Sequence, residues 1–309
     1  MHHGILNRAQ GAAIIAAAAS VLLAGCGAAG TPPAPESGVV EVVTSTDVYG
    51  DIVRAVGGDK VHVTPIIHTT AQDPHSYQAT TQDKLTVSKA RLLVENGGGY
   101  DDFFKTLAAE TSGNHRLIDV TDLSGLSTQS PTAGTEFNEH LWYNLDAMTV
   151  FADAVSKDLA GIDPANAAVY TANTDRFKTD LDKLKERTAD LKAHHSGEAV
   201  AITEPVPLYL LQAAGLINKT PADYSHAIED GHDVPAAVMK ETLDLVTARS
   251  VKFLAYNNQT EGPQTTALKD AATSVGVPVI DFTETLPDGE TYLHWMSANI
   301  DHIDKALQD

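Results

Sequence analysis

The stretch DPANAAVYTANTDRFKTDLDKLKERTADLKAHHS, residues 163–196, decides the fold, because no glycine or proline interrupts it after its second residue. Asp163 and Pro164 are typical of a helix start. The apolar residues that follow recur at spacings of seven, four, three and seven, which places them on one helical stripe: Tyr170, Phe177, Leu181, Leu184 and Leu191. At 1.5 Å per residue, about 30 residues form a rod on the order of 45 Å. The pattern predicts one long helix between two larger parts of the chain, and a coiled coil with a partner helix is the alternative.

Strand and helix patterns alternate on both sides of this helix. The first part carries β-rich runs at 39–44, 61–67, 91–95 and 116–120, with helical stretches at 47–56, 82–88 and 100–110. The second part carries strands at 198–203, 251–256 and 277–282, with helices near Leu208 and at 236–248, 265–275 and 291–307. Such alternation favours parallel sheets flanked by helices. We therefore expect an α/β protein of two lobes, residues 39–162 and 196–309, joined by one long rigid helix at 163–195.

The charge balance excludes some classes of protein. Among 309 residues, 21 lysines and arginines stand against 41 aspartates and glutamates, which gives a formal net charge of −20. So acidic a chain is a poor partner for nucleic acid, whose phosphates require a basic surface. The one cysteine, Cys26, can form neither an intramolecular disulfide nor a cysteine-rich zinc site. Any bound metal would have to be held by histidines and carboxylates.

The amino terminus has the layout of a secretory signal. Before Cys26 the sequence carries one charged side chain, Arg8, and then an apolar stretch at 11–24 that ends in Leu-Ala-Gly-Cys and resembles the lipobox of bacterial lipoproteins. About 14 residues are too few to cross a bilayer core, which needs about 20. We expect a lipoprotein signal peptide at 1–25, lipidation of Cys26 and a flexible tether at 26–38, so that the mature protein is extracytoplasmic and anchored to the membrane. An ordinary signal peptide with an incidental cysteine is the alternative.

Side chains that can bind a metal occur where predicted strands end, which is where parallel α/β sheets bind ligands. His75 follows the second strand, and His140 precedes the crossing to the second lobe. Glu204 directly follows the first strand of the second lobe, while Asp281 and Glu284 lie at the end of the last strand. A single loop histidine is weak evidence for a metal site. Together, however, these residues offer two imidazoles from one lobe and carboxylates from the other.

Several short motifs point to one family. They occur in the order Thr44-Ser45-Thr46, Gly57-Gly58-Asp59, Asp73-Pro74-His75-Ser76-Tyr77, Asn96-Gly97-Gly98-Gly99-Tyr100, His140 with Trp142, Asp163-Pro164, and Glu284-Thr285-Leu286-Pro287 with Tyr292. From about residue 39 onwards the sequence resembles the metal-binding lipoproteins of zinc and manganese ABC importers, the cluster A-I solute-binding proteins with ZnuA-like and TroA-like members. The resemblance implies two α/β lobes joined by one long helix, with the metal in the cleft between the lobes.

The resemblance also assigns the metal ligands residue by residue. It implies His75 as the first ligand and His140 as the second. The third, which is histidine in many zinc binders and glutamate in many manganese binders, falls on Glu204. The fourth, usually an aspartate, falls on Glu284, with Asp281 as the substitute.

Positions beside the ligands bear on this assignment. Asn138 and Glu139 stand where many relatives have Asp-Pro before the second histidine. Asn96 and Asn257 follow strands, and we expect them to hydrogen-bond the ligands, because groups outside the coordination sphere orient those inside it.

The chemistry of the ligand set favours Mn²⁺ over Zn²⁺, because manganese tolerates carboxylate-rich coordination and zinc prefers more nitrogen or sulfur. Residues 110–139 contain one histidine, His115, and lack the histidine-rich loop common in zinc-type relatives. Zn²⁺ could still bind tightly in vitro, so affinity alone does not identify the physiological ion, and Fe²⁺ stays open as well. His226 and His232 could form an accessory metal site, although a solvated loop at the rim is the favoured interpretation.

We therefore expect a carrier rather than an enzyme: a monomeric extracytoplasmic lipoprotein that captures Mn²⁺ or Zn²⁺ and delivers it to the permease of an ABC importer. One alternative is a secreted metalloenzyme in which His75, His140 and Glu204 hold Zn²⁺ and Glu284 acts as the base. The sequence contains neither an HExxH nor a GxSxG motif. The other alternative is a surface adhesin with an incidental metal site.

Overall fold

The computed structural model of the protein describes residues 38–111, 113–126 and 137–308. The predicted signal peptide, the predicted lipidation site Cys26 and all of the predicted tether except Gly38 lie outside these residues. Among the described helices, none has the length and apolar character needed to cross a membrane.

Two four-stranded sheets form the framework, and their strands pair in parallel. The first contains β1 (Val40–Thr46), β2 (Val61–Ile67), β3 (Leu92–Glu95) and β4 (Arg116–Asp119) in the order β2-β1-β3-β4. The second contains β5 (Ala199–Ile202), β6 (Ile217–Asn218), β7 (Leu254–Asn257) and β8 (Val279–Phe282) in the equivalent order β6-β5-β7-β8. In each sheet the winding direction switches beside the first strand. Open α/β sheets form their ligand crevices at such a switch.

Helices flank both sheets. In the first lobe they are α1 (Asp47–Gly57), α2 (Thr81–Val87), α3 (Asp102–Glu110), α4 (Val120–Ser124) and α5 (Leu145–Ile162). The connecting helix is α6 (Ala167–His195), and the second lobe adds α7 (Leu208–Ala213), α8 (Ala222–Glu229), α9 (Ala236–Thr247), α10 (Pro263–Ser274) and α11 (Tyr292–Gln308). The predicted architecture of two parallel sheets, flanking helices and one long connecting helix is confirmed.

Helix α5 is the largest element that the sequence-based prediction missed. The Asn144 side chain caps it by accepting hydrogen bonds from the backbone N–H groups of Asp146 and Ala147. Met148 and Phe151 follow on its buried face. A capping residue followed by apolar residues three or four apart is a helix signal in a sequence, so α5 was in principle predictable.

The long helix begins later than predicted. Residues Pro164–Asn166 form a single 3-10 turn, and α6 itself runs from Ala167 to His195. Asp163 does not cap backbone N–H groups; its carboxylate accepts hydrogen bonds from the Asn166 side chain at 2.6 Å and from the Tyr170 hydroxyl at 2.8 Å. The stripe of five apolar residues predicted from the spacing is buried along its whole length.

One hydrophobic core runs through both lobes along α6. The same cluster of buried side chains contains Val42 from the first sheet, Phe177 from α6, and Val200 from the second sheet. Hydrogen bonds also cross between the lobes: the Tyr143 hydroxyl donates to the carbonyl of Thr283 at 2.8 Å. The two sheets are therefore held by continuous packing rather than by a flexible hinge.

We expect Leu181→Ala to destabilise the protein by about 2–5 kcal/mol, because Leu181 is fully buried at the middle of α6 and its loss leaves a cavity between the lobes. Chemical denaturation gives the free energy of unfolding. Asp175→Ala, at an exposed position on the same helix, is the control and should change it by no more than about 0.5 kcal/mol. Equal effects of the two substitutions would contradict the role assigned to the stripe.

Candidate metal centre

Glu204 and Glu284 lie two residues beyond β5 and β8, whereas His140 directly precedes a single 3-10 turn, Leu141–Tyr143. Local hydrogen bonds shape the segments that carry the predicted ligands. His75 lies between β2 and α2, in a turn where the Asp73 carboxylate accepts hydrogen bonds from the His75 backbone N–H at 3.0 Å and the Ser76 hydroxyl at 2.8 Å. Aspartate followed by proline is a typical start for such a turn. On the other lobe, the Gln259 side chain accepts hydrogen bonds from the backbone N–H groups of Glu284 and Thr285, at 2.6 and 3.1 Å.

Three of the predicted residues come together. His75, His140 and Glu284 each place one potential ligand atom within 4.8 Å of the others. His140 and Glu284 are buried, and the His75 side chain keeps 27% of its exposure. Since His75 and His140 belong to the first lobe and Glu284 to the second, the group lies in the cleft between them.

His140 has one ring nitrogen engaged and one free. Its Nδ1 lies 2.7 Å from Oδ1 of Asn138, whereas Nε2 is buried and has no hydrogen-bond partner among the described residues. Burial and the neighbouring His75 hold the pKa of His140 well below its usual range, so the ring is neutral. A buried ring nitrogen without a partner is costly unless something accepts or binds its lone pair. A metal ion would satisfy it.

The two carboxylates of the second lobe share one neutral partner. The side-chain nitrogen of Asn257 donates to Glu204 Oε2 at 2.9 Å and to Glu284 Oε1 at 2.8 Å. The hydroxyls of Thr260 and Tyr100 donate to the remaining oxygens of Glu204 and Glu284, respectively. Burial raises the pKa of Glu204, and burial together with Glu204 raises the pKa of Glu284 to about 8. Glu204 stands outside the closest group of three but is linked to it through Asn257.

Asn96, unlike Asn257, hydrogen-bonds the backbone next to a predicted ligand rather than a ligand side chain. Its side-chain nitrogen donates to the carbonyl of Glu139 at 3.0 Å, and its oxygen accepts a bond from the Tyr49 hydroxyl. It therefore supports the backbone that precedes His140, and among the described residues its side chain makes no hydrogen bond to a predicted ligand. The next residue, Gly97, has a φ of +73°, and a Cβ there would lie 2.3 Å from Oδ1 of Asp119, so this close approach requires glycine.

Asp281 lies apart from the group. It sits within β8, where its side chain is 56% exposed and 3.9 Å from the amine of Lys269. Side chains alternate between the two faces of a strand, and Asp281 is on the exposed one while Phe282 is buried. Glu284, two residues beyond the strand, is the acidic residue of this segment that faces the two histidines.

Two further glutamates approach the histidines, and neither was predicted as a site residue. Glu139 Oε1 is 3.5 Å from Nε2 of His75, and Glu229 Oε1 is 3.9 Å from Nδ1 of His140. Burial, Asp101 and Asp230 raise the pKa of Glu139 to about 7. Burial and the surrounding carboxylates, Glu139 first among them, raise the pKa of Glu229 to about 9.

The prediction of a solvated rim loop around His226 and His232 is wrong for the part that contains His226. His226 and Glu229 lie on α8, which brings Glu229 into the cleft, whereas His232 lies beyond the helix with its side chain 76% exposed. Neither histidine belongs to the group formed by His75, His140 and Glu284. Residues 222–229 contain neither glycine nor proline, and this was the available helix signal.

A two-lobed α/β fold with imidazoles and carboxylates gathered between its lobes defines a class of cleft-binding proteins for small cations. The chain belongs to the family described as the periplasmic zinc-uptake complex component A, whose model matches residues 42–306. This is a family of solute-binding proteins, and the resemblance stated from the sequence motifs is confirmed.

Individual relatives agree with this assignment. The manganese ABC transporter substrate-binding lipoprotein PsaA of Streptococcus mitis is 26% identical over 306 residues, which cover 93% of this chain and 95% of PsaA. The iron ABC transporter substrate-binding lipoprotein MtsA of Streptococcus pyogenes serotype M1 is 27% identical over 309 residues, which cover 93% and 94%. Among solved structures, the periplasmic zinc-binding protein TroA of Treponema pallidum superposes with a TM-score of 0.70 at 22% identity, covering 87% of this chain and 99% of TroA. That likeness shows a shared fold.

The raised pKa of Glu229 predicts how the stability of the metal-free protein depends on pH. Between the usual glutamate value of 4.5 and about 9, the folded protein keeps a proton that the unfolded chain loses. The free energy of unfolding therefore falls as pH rises through this window. Glu229→Gln removes that contribution, so the variant should gain stability relative to wild type from pH 4.5 to pH 9 in denaturation curves. Glu261→Gln, at an exposed position, should follow the wild-type curve; a pH-independent difference for Glu229→Gln would contradict the prediction.

Proposed function

We propose that this protein is an extracytoplasmic solute-binding lipoprotein that captures a divalent transition metal between its lobes and delivers it to the permease of an ABC importer. One observation carries the proposal: the buried His140 has a ring nitrogen with no hydrogen-bond partner among the described residues, in a group where His75 and Glu284 offer ligand atoms within 4.8 Å. The family assignment supports it, as do the functions for which the similar proteins PsaA, MtsA and TroA are named.

We propose His75, His140, Glu204 and Glu284 as the ligands. Two neutral imidazoles and two carboxylates balance the charge of a dication, which avoids the cost of burying an unpaired charge. Asn257 would keep both carboxylates oriented, because it donates to each of them. Asp281 is not proposed as a ligand, since its side chain is exposed and near Lys269.

We propose Mn²⁺ as the physiological cargo, with Zn²⁺ and Fe²⁺ as competitors. The similar proteins PsaA, MtsA and TroA are named for manganese, iron and zinc, so the family does not select the ion. The cleft itself is rich in carboxylates, because Glu139 and Glu229 approach the two histidines in addition to the proposed ligands. Oxygen-rich surroundings suit Mn²⁺ better than the tetrahedral, nitrogen- or sulfur-rich sites of Zn²⁺. Elemental analysis of protein from its native membrane, followed by Mn²⁺–Zn²⁺ competition, tests the choice.

The remaining parts of the proposal concern the whole chain. Residues 1–25 would act as a signal peptide, Cys26 would carry the lipid anchor, and 26–38 would be the tether. Residues 39–162 and 196–309 would form the two lobes around the helix at 163–195, acting as a monomer. A lipid anchor keeps a carrier close to its permease, which raises their effective concentration.

Removing either histidine should abolish stoichiometric metal binding. His140→Ala deletes the buried ring and His75→Ala the ring nearest solvent, and each takes one of the two nitrogen donors. Isothermal titration with Mn²⁺ and with Zn²⁺ measures binding, and circular dichroism with thermal melting shows whether the fold is intact. Stoichiometric metal in both folded variants would rule out the proposed site.

The two acidic residues near the end of β8 should differ in effect. Glu284→Ala removes a carboxylate from the group with His75 and His140, so Mn²⁺ affinity should fall strongly. Asp281→Ala removes an exposed carboxylate and should change the affinity by no more than about threefold. The reverse ranking in the same titration would assign the fourth ligand to Asp281.

A further inference from the structure

Asn138 lies where the two lobes meet, and its side-chain amide is held at both ends. Its Oδ1 lies 3.2 Å from the backbone nitrogen of His140 and 2.7 Å from Nδ1 of the same residue. Its Nδ2 donates to the carbonyl of Pro205, in the other lobe, at 3.1 Å. The backbone carbonyl of Asn138 also accepts a hydrogen bond from the Tyr209 hydroxyl at 2.7 Å. The residue is thus tied to the first lobe and to the second at once.

The partners of the amide decide which of its ends is oxygen. The backbone N–H of His140 can only donate, and the carbonyl of Pro205 can only accept. The end that faces His140 must therefore be the oxygen, and the end that faces Pro205 must be the NH₂ group. An amide oxygen carries no hydrogen, so the ring nitrogen 2.7 Å from it, Nδ1 of His140, must be the one that is protonated.

The protonated Nδ1 leaves the lone pair of the neutral His140 ring on Nε2. Nε2 is the buried atom that has no hydrogen-bond partner among the described residues. The hydrogen bond that Nδ1–H of His140 donates to Asn138 therefore makes Nε2 the nitrogen available to a metal before any metal arrives.

The same amide connects two of the proposed ligands. Pro205 directly follows Glu204, so the bond from Asn138 ties the His140 segment to the Glu204 segment across the cleft. An aspartate at position 138 could accept from His140 but could not donate to the Pro205 carbonyl. It would also add a negative charge beside Glu139, in a cleft already rich in carboxylates.

We propose that Asn138 is a positioning residue of the metal centre: it fixes the neutral Nδ1–H tautomer of His140, so that Nε2 binds the metal, and it ties this histidine to the Glu204 segment of the opposite lobe. The ligand role of Nε2 rests on the proposed function, whereas the tautomer is a property of the metal-free protein.

The tautomer is measured directly by ¹⁵N NMR of labelled histidine side chains in the metal-free full chain, with the His140 signal assigned from its loss in His140→Ala. We expect the Nδ1–H form in wild type. In Asn138→Leu, which offers no acceptor, we expect the Nε2–H form to become populated. An Nε2–H ring in wild type, or an unchanged tautomer in Asn138→Leu, would overturn the proposal.

A second pair of variants separates the tautomer from general packing. Asn138→Asp keeps an acceptor for Nδ1–H of His140, so the Nδ1–H tautomer should persist, although the variant loses the donor to the Pro205 carbonyl. Asn173→Leu is the matched control, because Asn173 lies on α6 and its amide also donates to a backbone carbonyl, that of Val56 at 2.9 Å. It should leave the His140 signals unchanged, and a tautomer shift in this variant equal to that in Asn138→Leu would overturn the proposal.

Metal affinity gives an independent readout. Asn138→Leu should weaken Mn²⁺ binding about 10- to 100-fold, as is typical when a partner that orients a ligand is removed. Asn138→Asp should recover most of the loss, and Asn173→Leu should bind like wild type; wild-type affinity in Asn138→Leu would overturn the proposal. If wild type keeps the Nδ1–H ring but binds no metal, the carrier function and the ligand role of Nε2 fall together, while the tautomer assignment stands.

Discussion

The geometry of the cleft depends on the apolar core that passes from one lobe to the other along α6. Phe177 and Leu181 on this helix pack in one cluster with Val42 and Val200 from the two sheets, so the lobes are joined through side chains and not only through the chain. Ligand groups from both lobes are then held close together by folding itself. The conformational entropy of bringing them together is lost on folding rather than on metal capture, which is the advantage of a preorganised site.

Without a bound cation, the buried carboxylates of the cleft are electrostatically unfavourable. Glu204 and Glu284 are buried, and their hydrogen-bond partners are the neutral side chains of Asn257, Thr260 and Tyr100. Neutral donors orient a carboxylate but do not cancel its charge, and burial together with the charge of Glu204 raises the pKa of Glu284. A dication would relieve this repulsion, and protons compete with it for the same groups. A metal held at the proposed site would therefore be released more readily as the pH falls.

Much of the candidate site can be predicted from the sequence. The rest depends on contacts between residues that are far apart in the chain, which the spacing of residues does not indicate. His75 and Glu204 stand out because they follow predicted strands, and parallel strands bring their carboxyl ends to one edge. His140 stands out because it precedes the crossing to the second lobe. Glu229 does not stand out, because it is distant in sequence from the other site residues and reaches them only through the placement of α8. Asn138 was visible only as a departure from the pattern of relatives; its hydrogen bonds to two lobes could not be inferred from that.

The sequence by itself determined the class of fold, the two sheets, the long helix and the residue types available to a metal, because hydrophobic periodicity and strand–helix alternation are local properties of the chain. The tertiary structure alone places Glu284 in a buried position beside His75 and His140 and leaves Asp281 exposed beside Lys269. It also places the Asn138 amide against Nδ1 of His140 and leaves Nε2 without a hydrogen-bond partner in the part of the chain that the structure describes. Side-chain placements of this kind follow from contacts between segments far apart in the chain, and these contacts exist only once both lobes have packed against α6.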